Sequence, residues 1–187
     1  MTRAFACLMV AAFAVCATAA SAEDLDTRDL MNFGPNMKTA NPIPRQTVNF
    51  QSQYAPGTIV VNTAERRLYL VLPNGQALKY GIGVGRDGFR WGGTHRITAK
   101  KEWPAWTPPP QMIARRPDLP RHMKGGIDNP LGARAMYLGS TLYRIHGSNE
   151  PETIGQAVSS GCFRMTNDDV KDLYDRVPVG TTVIVKN

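Results

Sequence analysis

Residues 58–84 read TIVVNTAERRLYLVLPNGQALKYGIGV. Two β-branched or apolar runs, Thr58-Ile59-Val60-Val61-Asn62 and Leu68-Tyr69-Leu70-Val71-Leu72, are separated by a short polar break. Pro73-Asn74-Gly75 is a tight-turn sequence, and Ala77 to Val84 supplies the next strand. The same pattern extends outward. Thr94 to Ala99 reads as a strand, Ala135–Leu138 and Leu142–His146 as a pair around Gly139-Ser140-Thr141, and Thr182–Val185 as the closing strand. Strands at hairpin spacing predict a mainly β fold, a sandwich or barrel-like sheet. Fourteen prolines and seventeen glycines argue against an all-helical bundle.

Residues 103–134 interrupt the pattern. Trp103-Pro104-Ala105-Trp106-Thr107-Pro108-Pro109-Pro110 cannot lie inside a sheet, because proline donates no ladder hydrogen bond. Trp103, Trp106 and Met112-Ile113 predict an ordered, Pro-rich flap. One helix is legible. Thr166 with Asp169 resembles a capping pair, and Val170, Leu173, Tyr174 and Val177 follow at helical spacing before Pro178 and Gly180 end the run.

The first 22 residues have the form of a secretory signal peptide. Arg3 supplies the positive start, residues 4–19 are almost all apolar, and Ala20-Ser21-Ala22 is a small-residue cleavage site. The apolar run is shorter than the ~20 residues a spanning helix needs. Residues 23–53 read as an extended linker and residues 54–187 as the domain. The full chain has 187 residues, a net charge of +7 and three cysteines. Removing residues 1–22 takes away Arg3, Cys7 and Cys16, leaving 165 residues, a charge of +6 and one cysteine, Cys162. An intramolecular disulfide and a four-cysteine zinc site are thereby excluded for the exported form. The dispersed positive charge, on an exported chain, fits an anionic wall polymer better than a nucleic acid.

Cys162 sits in Ser159-Ser160-Gly161-Cys162-Phe163-Arg164-Met165. A lone cysteine is either a buried apolar residue or a reactive thiol. Three features favour the thiol: a Ser-Ser-Gly turn whose amides can converge on an anion, a helix start four residues on, and the fixed cation of Arg164. Such surroundings lower a thiol's pKa below ~8.5. His146, sixteen residues upstream at the end of a strand, is the candidate base. His95 and His122 have no metal-ligand spacing with it and read as ordinary residues. No cofactor or metal is called for.

The run RIHGSNEPETIGQAVSSGCFRMTNDDVKDLY, residues 144–174, resembles the signature of the L,D-transpeptidase catalytic domain family (YkuD or ErfK/YbiS/YcfS/YnhG). The likeness extends from about Tyr54 to Val185 and takes in Pro56-Gly57-Thr58-Ile59-Val60-Val61 and Asn129-Pro130-Leu131-Gly132. Sortases share the His–Cys–Arg order, but with a histidine far upstream and an arginine several residues after the cysteine.

The resemblance implies a mainly β domain with the cysteine in a cleft beneath a flap. It implies that Cys162 attacks the carbonyl joining the third residue of a peptidoglycan stem peptide, usually meso-diaminopimelate, to a terminal D-alanine. D-Alanine leaves, and an amine from another stem or from an outer-membrane protein's lysine resolves the thioester. His146 matches the general base, Gly147 the residue whose carbonyl orients it, and amides near Ser160, Gly161 and Cys162 the oxyanion hole. Ser160 stands where histidine is commonest and Arg164 where asparagine is frequent. Arg164 has two readings, a substrate-carboxylate ligand or an ion pair with the Asp-rich helix start. The implied location is the periplasm, and the implied thiol reacts with carbapenems. Hydrolysis of the same bond type, as a carboxypeptidase or amidase, and a non-catalytic wall-binding module are the alternatives.

Overall fold

The computed structural model describes residues 41–187. The expected signal peptide and the first part of the expected linker, residues 23–40, lie outside the described residues.

The apolar runs form strands where their pattern places them. β1 is Gln46–Asn49, β2 Ile59–Asn62, β3 Arg67–Leu72, β4 Gln76–Gly81, β5 Val84–Gly85 and β6 Gly93–Glu102. Helix α1, Pro110–Arg115, lies in the flap; β7, Arg134–Leu138, and β8, Arg144–His146, follow it. After a 3-10 turn at Pro151–Thr153 come β9, Ala157–Ser159, and β10, Phe163–Arg164. Helix α2, Asn167–Arg176, and β11, Thr182–Lys186, complete the chain.

Nine strands make one sheet in the order β1-β4-β3-β2-β11-β6-β7-β8-β10. The β3–β4 hairpin turns through Asn74 and Gly75, both at positive φ (60° and 68°), as the Asn-Gly sequence requires. β6 is long because it serves two neighbours. Its first half pairs with β11 and its second half with β7, with a register irregularity between Ile97 and Ala99 where it changes partner. The expected hairpins are antiparallel, but β11 pairs with β2 and β10 with β8 in parallel, so the sheet is mixed. The chain after β4 then reaches the last strand: Gly83 and Arg164 exchange backbone hydrogen bonds of 2.9 Å in both directions. This isolated antiparallel bridge ties the segment after β4 to β10, the strand at the far edge of the sheet.

Residues 41–53, read as linker, are built into the domain. β1 pairs antiparallel with β4. Asn41 and Arg45 donate to the carboxylate of Asp169 at 2.5 and 3.3 Å, and Ile43 lies where a side chain on Gly81 or Gly155 would stand. Pro42 and Pro44 hid this segment, since it joins the domain through the short β1 ladder and a few side-chain contacts rather than through a periodic apolar pattern.

The core is continuous from Ile59, Val61, Leu68 and Leu70 through Ile97, Met136 and Ile145 to Phe163 and Met165. Helix α2 lays Val170 and Leu173 into it. Thr166 caps the helix, its hydroxyl accepting the Asp169 N–H at 3.2 Å, as the sequence predicts. At the other end Lys100 donates to the carbonyls of Tyr174 and Val177 at 2.6 and 2.8 Å, so a cation from β6 satisfies the helix's last turn. That fixes α2 against the sheet on the side of β6 and β7. Among the described residues no helix is long and apolar enough to cross a membrane.

Candidate active site

β10 and β8 run parallel with Phe163 beside Ile145 and Arg164 beside His146. Side chains alternate along a strand. Phe163 and Ile145 therefore point to the core, where both are buried. Cys162, Arg164, Arg144 and His146 share the opposite face, and all four line one cleft of about 1090 Å³. A separation of sixteen residues in sequence becomes a diagonal between neighbouring strands. The structure thus brings together the two residues singled out first, Cys162 and His146, with Ser160 and Arg164 on the same cleft wall.

His146 is buried, and its Nδ1 donates to the carbonyl of Gly147 at 2.5 Å. A carbonyl only accepts, so the proton is on Nδ1 and Nε2 carries the free lone pair. Burial, together with the neighbouring Arg164 and Arg144, pushes the imidazole pKa down to about 3, against the smaller upward pull of the Gly147 contact. The ring is neutral across the physiological range.

Gly147 is a glycine for a packing reason. A side chain there would collide with the Asn167 carboxamide, and one on Gly132 would collide with the Gly147 backbone. Asn167 Oδ1 accepts the Ala133 N–H at 2.8 Å, so the first residue of α2 ties the flap's return to the His146–Gly147 loop. Asn129 folds the flap from inside: its carboxamide donates to the Lys124 carbonyl at 3.0 Å and accepts the Leu131 N–H at 2.9 Å.

The turn carrying Cys162 is pinned by Ser159. Its hydroxyl donates to the Cys162 carbonyl at 2.7 Å and accepts the Gly161 N–H at 3.1 Å. The Gly161 amide, expected as part of an anion-binding set, is thereby engaged. The Ser160 and Cys162 amides have no partner among the described residues. The Gly161 carbonyl accepts the Trp91 indole N–H at 2.6 Å, and Trp91 stacks on Tyr143 with centroids 4.4 Å apart. Gly161 itself has φ of 108°, and a side chain there would overlap the Tyr143 ring. Gly161→Ala is therefore expected to cost about 1–3 kcal/mol through backbone strain. Displacing the turn should also slow Cys162 acylation by about 10²-fold. A thermal melt and an acylation time course check the two effects.

Two expectations change here. The Cys162 pKa is raised, not lowered, because burial outweighs the opposing effects of the Arg144 cation, the Arg144 backbone N–H and Arg164. The sequence shows the charges near a thiol but not how far it is sunk. Secondly, Arg164 does not pair with the aspartates of the helix start. Its Nη1 donates to Glu150 at 2.7 Å, in the loop after β8.

The flap is ordered, closed on itself by two 2.8 Å backbone bonds between Trp106 and Met123. Trp106 lines the cleft, whereas Trp103 sits at the flap's base, 40% exposed and outside the cleft wall. His122 Nδ1 lies 3.0 Å from the Thr107 hydroxyl, and the His95 and Trp91 rings meet edge to face. Among the described residues no group of three or more histidine, cysteine or acidic side chains is placed to hold a metal. Trp91, Tyr143, Ser159 and Asn167 were not legible as site residues. Trp91 and Asn167 each act on a backbone group far away in sequence, Tyr143 acts through its stack on Trp91, and Ser159 through two bonds inside its own turn; no spacing pattern marks any of these.

Comparison with known proteins gives the family and the fold. The family model described as L,D-transpeptidase catalytic domain (YkuD) matches residues 56–185. "Probable L,D-transpeptidase ErfK/SrfK" of Escherichia coli (strain K12) is 44% identical over 134 residues, covering 67% of this chain and 42% of that protein. The chain thus spans less than half the length of that relative. The solved L,D-transpeptidase from Mycobacterium smegmatis is similar in fold, with a TM-score of 0.57 at 20% identity, over 71% of this chain and 59% of that one. A Brucella melitensis structure described as a "Probable carnitine operon oxidoreductase caia" is 48% identical, with a TM-score of 0.53 over 79% of this chain and 96% of that one. On the family match across residues 56–185, which it covers from β2 to β11, the chain belongs to the L,D-transpeptidase catalytic domain (YkuD) family.

Proposed function

We propose that this chain is an exported cysteine acyltransferase of the bacterial envelope. In this reading Cys162 takes an acyl group from a peptidoglycan stem peptide, releasing D-alanine, and passes it to an amine. The observation that carries it is that Cys162 and the buried His146 line the same cleft, with His146 Nε2 left free by the Nδ1 contact to Gly147. The N-terminal sequence supports export, and the periplasm is the compartment where this substrate lies.

The site's chemistry follows from its protonation states. The thiol is held protonated and Nε2 is free, so the nucleophile forms by proton transfer from sulfur to Nε2 as the sulfur attacks. Negative charge then develops on the carbonyl oxygen, within reach of the Ser160 and Cys162 amides left open by Ser159's hold on Gly161. The imidazolium gives its proton to the departing D-alanine amine, and a thioester remains. An incoming amine attacks the thioester carbonyl, Nε2 takes the amine's proton, and the thiol is restored. Atoms and charge balance without an added oxidant, reductant or nucleotide. Gly147's carbonyl stabilises the imidazolium while it exists, because the Nδ1–H donated to it becomes more acidic. The Trp106 flap over the cleft restricts water, which favours transfer over hydrolysis.

Purified protein incubated with disaccharide tetrapeptides tests this. Mass spectrometry is expected to show released D-alanine and dimers cross-linked between diaminopimelyl residues. Trimmed tripeptide alone would mean hydrolysis. Unchanged substrate would mean a binding module.

A further inference from the structure

Five arginines line the cleft: Arg86, Arg115, Arg116, Arg144 and Arg164. Three have partners within the protein. Arg116 pairs with Asp118 at 2.6 Å, Arg164 with Glu150 at 2.7 Å, and Arg144 donates to the Leu142 carbonyl at 3.1 Å. Arg86 and Arg115 have no side-chain hydrogen bond or ion pair among the described residues. Both instead lie on one aromatic ring. Their guanidinium carbons are 4.8 and 4.9 Å from the centroid of Phe89, Arg86 from the strand end after β5 and Arg115 from the last turn of α1. Two like charges gathered at one ring repel each other, and the ring's attraction offsets only part of that. Among the described residues, the arrangement leaves two guanidinium groups without an acidic partner on the wall of the cleft.

Their position relative to Cys162 is set by the backbone. β5 pairs with β9, Gly85 beside Ser159, and the Arg86 N–H donates to the Ser159 carbonyl at 3.1 Å. β8, with His146, flanks the turn from the other side through β10. In an acyl transfer the base protonates the leaving amine and later deprotonates the incoming one, so both amines lie on the His146 side. The part of the donor that stays on the sulfur is left to the rest of the cleft, which Arg86 and Arg115 also line.

We propose that Arg86 and Arg115 form a carboxylate-binding subsite for the acyl donor, taking the free carboxylate of its diaminopimelyl residue. Diaminopimelate carries two carboxyl groups. One becomes the thioester carbonyl and the other remains ionised, and guanidinium is the group suited to hold it. Arg164 is a weaker candidate because Glu150 already occupies it. This subsite rests on the acyl-transfer reading, and the test separates the two.

Two tetrapeptide donors are used, with the diaminopimelyl carboxylate free or amidated. Acylation is followed by intact-protein mass in wild type, Arg86→Gln, Arg115→Gln and the double variant. Both side chains are exposed, so each single change is expected to lower kcat/KM on the free-carboxylate donor about threefold, and the double change about tenfold. The amidated donor should respond less than twofold, and Arg86→Lys should recover part of the loss. An equal loss on both donors, no loss, or a loss confined to the amine-transfer half-reaction would overturn the proposal. The same donors are titrated calorimetrically into Cys162→Ala protein, where preference for the free carboxylate supports the subsite and its absence overturns it. If wild type forms no acyl-enzyme while that preference persists, the acyl-transfer reading fails and the subsite stands.

Discussion

Replacement of Cys162 by alanine is expected to abolish acyl-enzyme formation and reduce product release to the uncatalysed level. The loss should exceed about 10³-fold, as removal of a covalent nucleophile does. The fold should survive. Cys162 is partly exposed, and its sulfur has one weak contact, 4.0 Å from the Leu142 carbonyl. Its turn is held by the Ser159 hydroxyl and the Trp91 indole, neither of which needs the thiol. A melting temperature within a few degrees of wild type, beside a flat time course on tetrapeptide, checks both halves. Cys162→Ser is the sharper variant. A hydroxyl is far less acidic than a thiol, so the same neutral imidazole generates the nucleophile poorly, and activity should stay near the alanine level.

His146→Gln is expected to cost about 10²–10⁴-fold in acylation, the range of a lost general base. The pH profiles should also change. With the imidazole pKa near 3, wild-type kcat/KM should show no inflection at the ~6.5 of an unperturbed histidine. The glutamine variant can react only through thiolate already present. Because burial raises the thiol's pKa, its residual activity should climb with pH through the alkaline range. Stability shifts in a defined direction as well. The folded-state pKa of His146 lies below its unfolded value, so the unfolded chain binds the extra proton. Stability from this residue is present above about pH 6.5 and is lost as pH falls toward 3. His146→Gln should flatten that part of the stability curve, read from denaturant midpoints at pH 4 and pH 7. A wild-type inflection near 6.5 would show instead that the ring is not buried neutral.

The strands and the helix were legible because their signals are local. β2, β3, β4 and α2 are written as apolar periodicity, an Asn-Gly turn and a Thr cap. β9 and β10 were not, since three- and two-residue strands carry no period. They exist because they pair with β5 and β8, which the chain meets long before. The site divides in the same way. Cys162, His146 and Arg164 stand out through residue type and spacing, and Gly147 through the family resemblance. Trp91 and Asn167 do not, because each holds a backbone group that only the fold brings near, and Ser159 does not, because nothing in its residue type says which way its hydroxyl turns within the Ser-Ser-Gly loop. The raised thiol pKa belongs to this second kind. Arg164 and the helix start are visible in the sequence, whereas the burial that outweighs the nearby cations is a property of the packed cleft. Trp103 and Trp106 look alike in the sequence; in the fold Trp106 lines the cleft, while Trp103, with its backbone at positive φ (39°) and its N–H donated to the Ala133 carbonyl, does not.

The central claim is that Cys162 is acylated by a stem peptide. Intact-protein mass spectrometry of wild-type protein mixed with disaccharide tetrapeptide, acid-quenched within seconds and digested, tests it most directly. The expected result is an adduct equal to the donor minus D-alanine, located on the peptide containing Cys162. An unmodified Cys162 while D-alanine accumulates, or an adduct on another residue, would contradict it.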